Sequence, residues 1–85
     1  MSHHHDHAAE DAGLTFGAKL KIRLEHWIQH NDDHTAGYRE WARKAAEADQ
    51  AEIGRLLDEV AELSAVMSDK FKQALQRLQS RADKP

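Results

Sequence analysis

Residues 20–48 read LKIRLEHWIQHNDDHTAGYREWARKAAEA. Within this stretch Leu20, Leu24, Trp27, Asn31, His34, Tyr38, Trp41, Ala45 and Ala48 are spaced alternately four and three residues apart. A helix turns about 100° per residue, so steps of four and three return to one face. The stretch therefore predicts one long amphipathic helix with a heptad seam. Ile28 and Ala42 widen the seam on one side, and two polar residues, Asn31 and His34, interrupt it.

A second seam follows. Ile53, Leu57, Val60, Ser64, Met67, Phe71, Ala74 and Leu78 again alternate four and three, and Leu56, Leu63 and Leu75 broaden the face. Thr15 stands ready to cap the first helix. Asp49 and Glu52 have the spacing of a capping box at the start of the second, with Asp in place of Ser or Thr. The expected elements are a helix over about 17–47 and another over about 50–81, each roughly 45 Å long. So short a connection near Asp49 allows only an antiparallel hairpin. The fold class is all-α. Asn31, Asp32, Asp33 and Gly37 are poor helix formers close together, and a break there would give three helices instead. The unbroken seam favours a continuous helix with a kink.

Two helices cover their own apolar stripes only in part. Pairing of two hairpins into a four-helix bundle, a homodimer, is the expected solution.

Residues 1–13 lack apolar periodicity and read as a flexible histidine-rich tail; 14–85 form the hairpin domain. An 85-residue chain makes one small domain with a modest core. It contains no cysteine, which excludes disulfides, thiolate metal sites and cysteine nucleophiles. About a third of the residues are charged, signs are mixed and the net charge is −3, so no basic footprint for nucleic acid exists. The apolar runs are far too short to span a membrane, and no basic-then-apolar leader opens the sequence. These features point to the cytoplasm.

Histidine is the anomaly: seven in all, four of them in the first seven residues. His3, His4, His5 and His7, with Asp6 among them, can wrap a divalent transition ion on a flexible chain. If Met1 is removed, Ser2-His3-His4 places a histidine third. That arrangement suits square-planar copper or nickel. The plainer alternatives are a neutral polar tail or a purification-tag remnant, although a tag is commonly a run of six and Asp6 breaks this one.

His26, His30 and His34 are four apart, so neighbours stack along one side of the helix and a pair can hold one ion. Three in a row drift around the helix, so a third ligand must come from elsewhere. Glu25, Asp32 and Asp33 are candidate ligands or supporting acceptors. The plainer reading puts His34 in the core. Ser64 lies level with it, each fifteen residues from Asp49, and Asn31, His34 and Ser64 would form a polar layer that sets register. Such a buried His34 could also act as a pH switch. Trp27, Tyr38 and Trp41 read as core rather than as a stacking platform.

No HExxH is present, no acid stands three residues before His26, His30 or His34, and no phosphate-binding glycine loop occurs. An enzyme is therefore not expected. The stretch Lys19–Ala46 does resemble a family of small helical domains of bacteria and archaea, uncharacterised as to activity. It does so through His26-Trp27-Ile28, His30-Asn31, His34, Tyr38 and Trp41-Ala42, an HWIxHNxxH pattern followed by an aromatic residue and WA. The resemblance covers about a third of the chain and implies a helical domain with a similar second helix. Gly37 departs from the helix former expected there.

The expectation is a small cytoplasmic protein that binds nickel, copper, cobalt or zinc for storage, delivery or sensing, with a metal-handling protein as a partner. Ligation needs neutral imidazole, so binding should weaken as pH falls through about 6.5. The alternative is a structural or adaptor module acting through its apolar face.

Overall fold

The computed structural model describes residues 13–83. Two helices make up the architecture: α1 spans Phe16–Glu47 and α2 spans Ala51–Asp83, packed side by side as an antiparallel hairpin. Thr15 caps α1 as expected, its hydroxyl oxygen accepting from the Ala18 amide at 3.1 Å. α1 runs unbroken through Asn31–Gly37. Of its intrinsically weak residues, Asn31 and Asp32 are tied to α2 by hydrogen bonds, and such tertiary contact outweighs propensity. No helix among the described residues is long and apolar enough to cross a membrane.

The connection differs from expectation. Asp49 does not cap α2; it adopts φ 68° just beyond α1. The Gln50 amide reaches back to the Ala45 carbonyl at 2.8 Å and the Asp49 amide to that of Ala46 at 3.2 Å. This is a Schellman ending, and it requires a left-handed residue where Asp49 stands. α2 opens one residue later, with Gln50 accepting its first helical bond from Gly54.

The packed seam is also turned from the expected one. On α1 the buried and half-buried residues of the seam include Leu24, Ile28, Asn31, Thr35, Tyr38 and Ala42. On α2 they are Gly54, Leu57, Ala61, Ser64, Ser68, Phe71 and Leu75. One heptad position of each seam, including Leu24, Asn31, Leu57 and Ser64, is as expected. The other is shifted by one residue on both helices. Trp27, His34 and Trp41 give way to Ile28, Thr35 and Ala42; Ile53, Val60 and Met67 give way to Gly54, Ala61 and Ser68.

The cause is side-chain size. A Cβ built on Gly54 would lie only 2.7 Å from the Ala42 carbonyl oxygen. Ala61 is wholly buried. Helices this close leave no room for an indole. The two tryptophans expected in the core are accordingly exposed, Trp27 by 42 % and Trp41 by 62 %.

Candidate functional site

Two neighbouring features of α1 carry the chemistry: a polar clasp inside the hairpin and a ladder of rings outside it. The clasp is built by Asn31. Its amide nitrogen donates to the Ser64 carbonyl at 2.7 Å and to the Ser68 hydroxyl at 2.8 Å, while its oxygen accepts from the Ser64 hydroxyl at 3.1 Å. The Thr35 hydroxyl lies 2.9 Å from the Asn31 backbone carbonyl and 2.6 Å from the Ser64 hydroxyl, and the two hydroxyl protons serve two of these three contacts at a time. Ser68 donates to Asp32 at 2.6 Å, and the other Asp32 oxygen faces Lys72 at 3.9 Å. Among the described residues no buried side-chain polar atom lacks a partner. Asn31 and Ser64 thus form the predicted polar layer, but Thr35 and Ser68 complete it in place of His34. The sequence signal for them was the heptad row of small residues Gly54, Ala61 and Ser68.

His34 belongs to the ladder and is exposed, so the reading of it as a buried core residue or a buried pH switch is corrected. His26 and His30 stack with centroids 5.8 Å apart, His30 meets His34 edge-on at 4.5 Å, and His34 stacks on Tyr38 at 6.0 Å. The Nε2 atoms of His30 and His34 are 3.1 Å apart, one donating and the other accepting according to tautomer. Two nitrogens at that separation, each about 2.0–2.1 Å from an ion, would subtend about 100° at it, close to a tetrahedral or octahedral cis angle.

The carboxylates named as helpers do not join this pair. Asp32 is taken up by Ser68 and Lys72, and Asp33 accepts from Gln29 at 3.2 Å on the helix surface. Glu25 is exposed and is turned about 100° away from His26 by helix geometry. Among the described residues no group of three or more His, Cys, Asp or Glu is placed to hold one metal ion. His3, His4, His5, Asp6 and His7 lie outside the described residues.

Beside the ladder, Trp27, His30, Asn31 and Phe71 line a shallow groove of about 300 Å³, with the Trp27 and Phe71 rings 5.7 Å apart. At the far end Lys44 sits over the Trp41 ring at 4.4 Å.

A family model described as a domain of unknown function, DUF8180, matches residues 20–78, most of both helices. The chain belongs to that family. The DUF8180 region holds the whole clasp, the ring ladder and the groove, and it leaves out the histidine-rich start. No curated protein and no solved structure matches the chain.

Proposed function

We propose that this DUF8180 protein binds a divalent transition-metal ion (nickel, copper, cobalt or zinc) through imidazole nitrogen, for storage, delivery or sensing in the cytoplasm. The observation that carries this reading is the exposed His30–His34 pair, with Nε2 atoms 3.1 Å apart. Both ligands sit on one rigid helix, so little ordering is needed when an ion arrives. The tail histidines would add a looser capture site, and a metal-handling protein is the partner that suits such a role. No catalytic step is part of this reading.

A second reading, a structural module acting through protein–protein contacts, is favoured by a separate observation: the exposed apolar row on both helices. Metal titration separates the two. Three full-length forms would be compared: the unaltered chain, one with His3, His4, His5 and His7 changed to alanine, and one with His30 and His34 changed to alanine. Stoichiometric binding that survives loss of the tail histidines and disappears with His30 and His34 supports the helix site. Binding that follows His3, His4, His5 and His7 alone would reduce the claim to a chelating stretch at the start of the chain.

A further inference from the structure

The large side chains shifted out of the hairpin seam are not scattered. Trp27, His34 and Trp41 each precede a packed α1 residue by one; Ile53, Val60 and Met67 each precede a packed α2 residue by one. The same offset on two antiparallel helices turns both rows to the same face of the hairpin, about 70° from the middle of the seam. Leu56 and Leu63 extend the α2 row, Leu63 being 71 % exposed. The result is one mainly apolar face with His34 at the middle of its α1 row.

That face is symmetric about its own middle. On α1, Trp27 and Trp41 lie seven residues either side of His34. On α2, the exposed Val60 and Met67 pair about the point between Leu63 and Ser64. Those two centres are level across the hairpin, because 49 − 34 and 64 − 49 are both 15. A face with matched side chains on either side of its centre can meet its own copy end for end, residue i on j and j on i, in an isologous two-fold contact.

We infer that the occupant of this face is a second copy of the chain, packed with α1 antiparallel to the partner's α1 about a two-fold axis crossing at His34. This arrangement sets each Trp41 opposite the partner's groove lined by Trp27, His30, Asn31 and Phe71. It also brings two His30–His34 pairs to either side of the axis, their middles about 6 Å apart along the helices, so that rotation of the rings towards the axis lets them meet at one ion. Each pair supplies two nitrogens; two pairs supply the four that a closed tetrahedral site takes. The metal site is thus shared, one ion per dimer, and incomplete in one chain. All adjacent helices in the resulting four-helix bundle are antiparallel. This inference rests on the metal reading above for its ion and on the face alone for its dimer.

The test uses the full-length chain with His3, His4, His5 and His7 changed to alanine, titrated with Co²⁺ and followed by sedimentation and visible absorption. The expected result is a dimer holding one Co²⁺ per two chains with a tetrahedral spectrum, lost in the His30→Ala/His34→Ala variant at unchanged helicity. Trp41→Ala should weaken dimerisation tenfold or more. The chain has no cysteine, so single cysteines report geometry cleanly. Leu63→Cys lies at the axis and should cross-link under mild oxidation. Ile53→Cys should not, since its two copies would be about 30 Å apart at 1.5 Å per residue.

A monomer with and without Co²⁺, or cross-linking through Ile53→Cys but not Leu63→Cys, overturns the dimer. One Co²⁺ bound per monomer overturns the shared site while leaving metal binding standing. A dimer with the expected cross-link and no bound Co²⁺ overturns the shared site and the metal reading together, and leaves the interface.

Discussion

Single residues decide whether this hairpin closes. Gly54 and Gly37 are both helical glycines, yet they have opposite meanings. Nothing lies within 4 Å of a Cβ at Gly37, whereas one at Gly54 meets the Ala42 carbonyl at 2.7 Å. Gly37→Ala should stabilise by about 1 kcal/mol through helix propensity, raising Tm by about 4–8 °C. Gly54→Ala should instead lose about 1–3 kcal/mol, because backbone must move apart. Thermal melts of the two variants at one protein concentration check the pair; melts shifted in the same direction would show that the close approach does not hold. Asn31 is the other decisive residue. Asn31→Ala strips three clasp bonds from a half-buried site and should lower stability by about 2–3 kcal/mol in denaturant titrations. A loss below about 0.5 kcal/mol would mean the clasp contributes orientation only.

At the level of elements, periodicity revealed the two helices and their antiparallel order, and the polar layer was legible from Asn31 and Ser64. What periodicity could not decide was which of two adjacent rows faces the partner helix. Trp27, His34 and Trp41 repeat every seven residues, and so do Ile28, Thr35 and Ala42. Ranked by apolar bulk the first row wins. The choice is in fact made by α2, whose small Gly54, Ala61 and Ser68 bring the helices together and leave that row of α1 to Ile28, Thr35 and Ala42, with no room for an indole. A contact set by the size of the opposing side chain does not show in one helix's own pattern. For the candidate site, the four-residue spacing of His30 and His34 revealed their pairing, while the separation of Asp32 and Asp33 from it depended on hydrogen bonds to α2 and along α1. The turn holds a prediction of its own. Asp49 occupies a left-handed conformation that glycine adopts without strain. Asp49→Gly should therefore gain about 0.5–1 kcal/mol, and Asp49→Val should lose stability. Equilibrium unfolding of both variants measures this, and an Asp49→Gly variant less stable than the parent would point to a role for the carboxylate.

For the whole molecule, the balance of buried and exposed surface is the governing fact. Among the described residues the buried apolar side chains are Leu24, Ala42 and Ala61, none of them large and fully enclosed, while eleven large apolar side chains stand exposed. A chain this small with so slight a core has little stability to spare. Its melting temperature should rise with protein concentration if the exposed face is covered by another copy, as mass action requires. A melting temperature constant over a hundredfold range of concentration would show that the hairpin stands alone.

The Schellman turn carries a consequence for the order of assembly. Interhelix contacts nearest the turn join residues close in sequence: Ala46 and Gly54 are eight apart. Contacts at the open end join Gly17 and Leu78, sixty-one apart. Closing the long loop first would forfeit far more chain entropy than closing the short one. The hairpin should therefore nucleate at Asp49 and zip outward, with the Asn31 clasp engaging midway. In rapid-mixing or temperature-jump kinetics Asp49→Gly should speed folding, whereas Leu78→Ala should mainly speed unfolding.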